Sequence, residues 1–305
     1  MDVLVAVGSL SGVGGSESYS YALIQELIKR GYNVDTFAYS REDGSCLLTE
    51  EKLIEQNIPF YHPTLPPKTY DLVLSSQHTT LYNIDSAKGF RIHTLHGSCV
   101  EEEQPLDMAD CFVSISKEVY DHAQSLGFNS TIIGNGVNTE RFKPITKINK
   151  KLKKVLSLSH NSNLNERLRN IFDRLDIEFI YHQKHHNPIF NIEDKINEVD
   201  LVITIGRGVY ESMSCGRVVF ILDDRGYINK GSVGDGIVTD KNIDYFIQNN
   251  CSGRYTNKVF TDDDIIEELS KYDYRLGEFG RDYVQKHLTI EQSVDKYLEL
   301  YEQFR

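Results

Sequence analysis

No stretch of the 305-residue chain approaches the roughly 18 apolar residues that a membrane-spanning helix needs. The start, Met1-Asp2-Val3-Leu4-Val5-Ala6-Val7, carries an acid where a secretion leader carries bases, and its apolar run is short. The sequence therefore reads as soluble and cytoplasmic, at most peripheral to a membrane. Cysteine is scarce. Cys46, Cys99, Cys111, Cys215 and Cys251 are odd in number, and no two stand at metal-ligand spacing. Reduced, mostly buried thiols fit that count better than a disulfide framework, and no partnered motif marks a catalytic thiol. Positive charge is also short: 33 Lys and Arg face 45 Asp and Glu, for a formal net charge of −12. Basic side chains supply non-specific nucleic-acid affinity, so a polyanionic partner is disfavoured, although a local basic patch stays open. His182, His185 and His186 lack a zinc spacing, and Pro188 marks a loop, so no metal is expected.

What is present is an ordinary globular balance, 40% apolar and 26% charged, in a chain long enough for two domains of about 150 residues. Short runs rich in Val, Ile and Leu alternate with stretches at helical period. In the first half the runs are Val3–Val7, Val34–Ala38, Asp71–Ser75, Arg91–Leu95, Cys111–Ile115 and Thr131–Ile133. Continuous apolar strands separated by helices indicate a parallel sheet covered on both faces. Tyr21, Ile24, Leu27 and Ile28 form one helical stripe that Gly31 stops; Ser116 is placed to cap a helix over Lys117–Ser125, ended by Gly127. The pattern restarts at Val155–Leu158 and continues through Glu178–Tyr181, Leu201–Ile205 and Val218–Leu222, and from about Asp262 onward the chain reads as helices. The expected architecture is α/β: two Rossmann-like, doubly wound domains, 1–146 and 147–305, facing a cleft with the carboxyl ends of their strands. The break falls near Lys143–Lys154, where Pro144 precedes the basic stretch Lys147–Lys154. That stretch is either a solvated linker or a contact for anionic lipid or an acidic substrate.

Four segments follow strands, where ligands bind in such folds. The loop Gly8-Ser9-Leu10-Ser11-Gly12-Val13-Gly14-Gly15-Ser16-Glu17 lets a phosphate-bearing ligand approach backbone amides at a helix start, although a purely structural turn reads the same way. A dinucleotide fingerprint would want glycine where Glu17 stands, and no acid closes the second strand, so an NAD site is poorly supported. Next, the run Ile92-His93-Thr94-Leu95-His96-Gly97-Ser98 places His96 at a strand end, within reach of a sugar hydroxyl; His93 is more readily structural. Third, Ile133-Gly134-Asn135-Gly136-Val137-Asn138-Thr139-Glu140-Arg141-Phe142-Lys143-Pro144 reads, on physics alone, as a loop with a tight turn. The strongest is Asp200–Arg217: strand, then Gly206-Arg207-Gly208, then a helix, then Gly216. Its glycines open the backbone at a helix N-terminus, where a diphosphate is favoured. Arg207 adds a fork of donors, and Glu211, one turn in, is placed to bind vicinal ribose hydroxyls. A first-turn acid that merely complements the helix dipole is the plainer alternative.

Together these segments resemble glycosyltransferase family 4: Gly14-Gly15-Ser16-Glu17, Leu95-His96-Gly97, Gly134 through Pro144, and Tyr210-Glu211-Ser212-Met213-Ser214-Cys215-Gly216 occur in order over nearly the whole chain. The resemblance implies a GT-B fold and transfer of a hexose or pentose, with retention, from a UDP- or GDP-sugar to an unidentified acceptor hydroxyl. It implies no cofactor and no required metal, and a last helix that returns to the first domain. Carried over, Glu211 matches the second glutamate of a Glu-x7-Glu motif, Gly15 the loop amide near the diphosphate, and His96 the histidine beside the transferred sugar. The expected site then has His96 and Arg207 as its catalytic residues. Donor contacts come from Gly14, Gly15, Ser159, His160, Asn161, Gly206, Gly208, Val209 and Glu211, and Glu17 and Asn135 lie on the acceptor side.

Two positions depart from the family pattern. The first glutamate of the motif falls at Ile203, and the Arg/Lys pair expected after the first strand of the second domain is replaced by Ser159-His160-Asn161-Ser162-Asn163-Leu164-Asn165-Glu166-Arg167. Arg207, with Arg167, is the expected substitute for that charge. The departures also leave open a sugar-nucleotide-binding protein without catalysis. An NAD-dependent sugar-modifying enzyme is the third reading.

Overall fold

A computed structural model of the protein describes residues 1–41, 48–183, 187–225 and 231–304. The chain forms two compact units, Met1–Gly136 with Ile290–Arg305, and Val137–Thr289.

In the first unit β1 (Asp2–Val7), β2 (Asn33–Ala38), β3 (Phe60–Tyr61), β4 (Lys68–Ser76), β5 (Ala87–Leu95), β6 (Cys111–Ser114) and β7 (Ser130–Ile132) make one sheet. Its order is β3-β2-β1-β4-β5-β6-β7, all parallel. The helices α1 (Gly15–Lys29), α2 (Leu48–Glu55), α3 (His78–Asn83) and α4 (Lys117–Ser125) connect strands. Both faces of the sheet are buried, and β1 shows how its sequence achieves this. Val3, Val5 and Val7 join one apolar cluster with Tyr19, Leu23 and Leu27 of α1, while Leu4 and Ala6 join another with Phe37, Val73 and Leu81. The closing helix Ile290–Phe304 adds Ile290, Val294, Tyr297 and Tyr301, spaced along one helical face, to the first cluster. Gly31 and Gly127 follow their helices at φ +84° and +86°, and the Ser116 side chain accepts from the Val119 N–H at the start of α4.

The second unit holds β8 (Lys154–Ser157), β9 (Glu178–Tyr181), β10 (Leu201–Thr204), β11 (Val218–Asp223), β12 (Val233–Ile237) and β13 (Lys258–Val259), in the order β13-β12-β11-β10-β8-β9. β9, β8, β10 and β11 are parallel, whereas β12 runs antiparallel to β11 and β13 antiparallel to β12. This pair was not expected from the sequence: Gly234, Asp235 and Gly236 interrupt the apolar run that would announce a strand. The helices are α5 (Ser162–Arg174), α6 (Ile192–Asn197), α7 (Arg207–Ser214), α8 (Ile243–Phe246), α9 (Asp262–Leu269) and α10 (Arg275–His287); the closing helix is α11. Alternation again divides the core, with Leu156, Val202 and Val219 on the side of Val209 and Met213, and Val155, Leu201 and Phe220 on the side of Leu168 and Ile265.

The basic stretch Lys147–Lys154 lies in this second unit and is folded onto it. The buried carboxylate of Asp200 accepts the N–H groups of Asn149, Lys153 and Lys154 and the Asn149 amide, at 2.9 to 3.1 Å. Ile148 and Leu152 pack against the second cluster, and Lys147, Lys150, Lys151 and Lys153 project outward. Among the described residues no helix is long and apolar enough to cross a membrane.

In each sheet the strand order reverses beside the first strand, between β1 and β4 and between β8 and β10. Open α/β sheets bind ligands outside the carboxyl ends of strands at such points.

Candidate functional site

At the reversal in the second unit, β10 leads into α7 through a turn that only glycine can form. Gly206 sits at φ +59°, ψ −133°, and its N–H donates to the Cys251 carbonyl at 2.9 Å. A Cβ on Gly208 would come within 2.3 Å of Thr204 Oγ1. The α7 N-terminus is thereby brought directly off the strand. Behind it, Arg207 Nε donates to Glu211 Oε1 at 2.7 Å, with the two side chains only 5% and 8% exposed. Burial raises the pKa of Glu211, while Arg207 and Arg141 oppose the rise and Glu193 adds to it. The two residues expected to hold a nucleotide therefore hold each other in this structure. Val209 is wholly buried, its N–H bonded to the Gly206 carbonyl at 3.0 Å.

Arg141 belongs to the same charge group. It pairs with Glu193 through two bonds of 2.9 and 3.0 Å, and its guanidinium lies over the Phe142 and Phe190 rings at 5.0 and 4.5 Å. Asn138 Oδ1 accepts the N–H groups of Glu140 and Arg141, and Ser214 Oγ at the end of α7 donates to the Phe142 carbonyl. Arg281 of α10 donates to the carbonyls of Thr139, Phe142 and Ser214. The part of the third segment that follows Val137 thus fastens α7 in place. The sequence offered no signal that Arg141 and Glu211 would share one buried environment.

The β8 loop lies on the other side of the same reversal. Ser159 Oγ donates to Asp223 Oδ1 at the end of β11; Asn161 Nδ2 donates to the Asp224 carbonyl at 2.9 Å; and Asn161 Oδ1 caps α5 by accepting from Leu164 N–H. His160 is exposed beside them. The loop is held by hydroxyl and amide groups, and Asp223, which the sequence pattern did not single out, is its anchor. Arg167 stands elsewhere: its three nitrogens donate to Asp262, Ser232 and the Phe260 carbonyl, at 2.6, 2.9 and 2.8 Å. Ile203 is fully buried in β10 within the apolar core, so no polar group exists at that point of the strand.

In the first unit, Gly14 is the N-cap of α1 and Gly15 its first residue. The loop before them is tied back by Thr49 Oγ1 to the Gly12 carbonyl at 2.7 Å and by Glu50 N–H to the Leu10 carbonyl at 3.1 Å. Across the reversal, Gln77 follows β4 at φ +63° and its Oε1 accepts the Gly8 N–H at 2.6 Å. Glu17 is half-buried on α1 and accepts from Ser16 Oγ at 3.1 Å. His96 follows β5, with its ring edge-on to Tyr19 of α1 at 5.6 Å between centroids. Its N–H donates to Glu103 Oε2 at 2.9 Å, and burial lifts the Glu103 carboxyl to about 7. His93 is entirely buried, bonded to Ser75 Oγ at 2.9 Å, and burial lowers its pKa to about 3, so it is a neutral core residue. Asn135 is buried, and among the described residues its Oδ1 has no hydrogen-bond partner; its neighbours Gly134 and Gly136 are both bonded to Ser293 Oγ of α11.

The first unit therefore places Gly14, Gly15 and Glu17 beyond β1 and His96 beyond β5, two strands along the sheet, with Asn135 beyond the outer strand. The second gathers Ser159, His160 and Asn161 with Gly206, Arg207, Gly208, Val209 and Glu211. Of the histidine cluster, His185 and His186 lie outside the described residues, and burial lowers the His182 pKa. Among the described residues, no group of three or more His, Cys, Asp or Glu stands where it could hold a metal ion.

No protein-family model matches the chain, and no curated protein matches it in sequence. Solved structures do match over almost its whole length. TarM is similar at a TM-score of 0.60 and 10% identity, covering 98% of each chain. The catalytic domain of starch synthase IV from Arabidopsis thaliana, bound to ADP and acarbose, gives 0.58 and 12%, covering 99% of each. UDP-GlcNAc 2-epimerase from Neisseria meningitidis, bound to UDP-GlcNAc, gives 0.54 and 14%, covering 99% of this chain and 100% of that one. Identity this low speaks to architecture alone. The two Rossmann-like units and these likenesses establish that the chain has the GT-B fold.

Proposed function

We propose that the chain is a retaining glycosyltransferase of the family 4 kind, moving a sugar from a UDP- or GDP-sugar to an acceptor hydroxyl. The observation that carries this reading is the glycine-dictated turn from β10 into α7, with Arg207 and Glu211 behind it at the strand-order reversal. The second unit binds the donor. Its diphosphate lies at the α7 N-terminus near Gly206, Gly208 and Val209, and the Ser159-His160-Asn161 loop contributes hydroxyl and amide contacts. Arg207 turns from Glu211 to the phosphate oxygens, and Glu211 accepts the ribose hydroxyls. The first unit supplies the acceptor side, with His96 beside the transferred sugar and Glu17 and Asn135 meeting the acceptor, while Gly14 and Gly15 present backbone to the donor diphosphate.

The acceptor oxygen bonds to the anomeric carbon as the bond from that carbon to the diphosphate oxygen breaks. The acceptor proton passes to the departing phosphate, and a nucleoside diphosphate leaves. The protein's part is to orient the acceptor and to stabilise negative charge growing on the leaving group. A helix N-terminus and one guanidinium meet that need with no cofactor.

A second reading is favoured by specific residues. Ile203 supplies no acid, Arg167 is committed to Asp262, and Arg207 is paired within the protein. Those features suit a protein that binds sugar nucleotides without transferring the sugar. The epimerase likeness adds inversion at the sugar as a further outcome to monitor. A thermal-shift screen over UDP- and GDP-sugars decides first whether there is a donor, since a ligand at 100 times its Kd stabilises by about 2.7 kcal/mol. Proton NMR of the stabilising sugar nucleotide, with the protein and without acceptor, then separates the readings. Slow release of nucleotide with retained configuration supports a transferase; a new sugar epimer overturns it; an unchanged ligand favours the binding protein.

A further inference from the structure

We propose that Glu103 is a positioning residue of the acceptor side, fixing the end of β5 so that the His96 ring is held in its working orientation. The proposal deepens the transferase reading and rests on it for its functional consequence. Sequence gives Glu103 no distinction, since it is the third of three successive glutamates, Glu101-Glu102-Glu103, which form a single 3-10 turn. The structure separates them. Glu101 and Glu102 are exposed, whereas Glu103 folds inward against the residue after His96: a Cβ on Gly97 would stand 3.7 Å from Glu103 Cγ.

His96 is the first residue beyond the β5 ladder, whose pairing with β6 ends at Leu95. Its N–H is directed to Glu103 Oε2 at 2.9 Å. Its ring meets Tyr19, a buried side chain whose hydroxyl donates to Tyr297 of α11 at 3.4 Å. Backbone and ring are thus each held from a different element, and an imidazole held at both points is aimed before any ligand arrives. Losing the backbone hold frees the strand end to shift, and a shift of about 1 Å at a reacting group lowers a rate by roughly 100-fold.

The hold depends on protonation. A carboxylate accepts an N–H more strongly than a carboxylic acid does. The groups around Glu103 are Glu101 and Glu102 on its own turn, Glu17 from α1, and the His96 N–H. His78 belongs to α3, which packs against this turn, and His122 of α4 is bonded to the adjacent Gln104. Burial is the main cause that raises the Glu103 pKa, to about 7; Glu102 and Glu17 add to it and the His96 N–H opposes it. The strong form of the contact therefore prevails above neutrality and weakens below it.

The test follows the His96 amide proton by two-dimensional NMR of the whole protein between pH 5.5 and 8.5, in the natural chain and in Glu103→Gln. Glutamine keeps the shape and an accepting oxygen, so the fold is retained while the titration is removed. The expected result is a His96 amide shift that titrates with a midpoint near 7 in the natural chain and stays flat in the variant. In turnover of nucleotide sugar, kcat should rise through the same pH in the natural chain and show no step in Glu103→Gln, with KM for the donor unchanged. An amide that does not move near neutrality in the natural chain overturns the proposal, as does a kcat step that survives in Glu103→Gln. If the natural chain turns over no nucleotide sugar, the transferase reading fails, and the amide titration by itself still decides whether Glu103 holds His96.

Discussion

Arg207 Nε and Glu211 Oε1 lie 2.7 Å apart, one helical turn from each other, and both side chains are buried. A buried ion pair of this kind is weak evidence for stability but strong evidence of interdependence, because removing one partner leaves an uncompensated charge. Arg207→Ala should therefore lower the denaturation midpoint as if about 3–5 kcal/mol were lost. Arg207→Met with Glu211→Gln should recover most of that loss. Donor binding should not recover with it. Titration calorimetry with the nucleotide sugar should show both variants weakened by roughly 10- to 150-fold, the effect of losing a charged hydrogen bond of about 1.5–3 kcal/mol. Restored affinity in the stable double variant would remove the pair from the donor site.

The glycines of the β10–α7 turn make a sharper steric prediction. An alanine at Gly208 brings its Cβ to 2.3 Å from Thr204 Oγ1 but only to 3.4 Å from Thr204 Cβ. Gly208→Ala should lower Tm by several degrees, a range set by overpacking costs of about 1–3 kcal/mol. Thr204→Ala on its own removes the obstructing oxygen, so the double variant should melt close to the Thr204→Ala parent. A double variant that melts as low as Gly208→Ala would show that backbone freedom, not space, is what Gly208 supplies. Gly206→Ala has no such remedy, since its strain comes from φ +59°, ψ −133°.

Much of this was legible in the sequence because it depends on period and on glycine. Continuous Val, Ile and Leu runs placed the parallel strands, and Gly206 and Gly216 bounded α7, which begins at Arg207 and takes in Gly208. What period could not show was pairing between distant side chains. Arg207 read as a phosphate-binding cation and Arg141 as one residue of a loop, and only the fold sets Arg141 against Glu193 and Arg207 against Glu211. Arg167, expected near phosphate, faces Asp262 because α5 directs it toward the start of α9. Glu103 was hidden for a related reason: its neighbours in sequence are the same residue, and only one of the three turns inward. β12 escaped because strand signals weaken wherever glycine replaces apolar side chains.

The Lys147–Lys154 stretch illustrates how a charged run acquires structure from one buried acid. Asp200, 2% exposed, accepts four N–H donors from Asn149, Lys153 and Lys154. Asp200→Ala leaves those donors without their acceptor, at about 1–3 kcal/mol for each buried donor left unpaired. The expected result is a fall in Tm together with fast hydrogen exchange at Asn149, Lys153 and Lys154, while amides of the first unit keep their protection. Uniform loss of protection in both units would show that the acid supports more than this stretch.

His93 sets a pH dependence whose sign follows from its burial. Its folded pKa, about 3, lies below the ordinary histidine value of 6.5, with burial the main cause and His96 and His78 adding to it. The unfolded chain therefore binds a proton at this residue that the folded chain refuses, and stability falls as pH drops from about 6.5 toward 3. The slope should approach ~1.4 kcal/mol per pH unit once the unfolded imidazole is charged. Glu103 works in the opposite direction, since its raised pKa favours the folded state as pH falls through about 7. The two effects are separable by substitution. Between pH 6 and pH 4.5 the two contributions oppose each other, so His93→Asn should remove the decline in urea midpoint there, and Glu103→Gln should steepen it. A decline between pH 6 and pH 4.5 that persists unaltered in His93→Asn would mean that other groups, not this imidazole, take up the proton on unfolding.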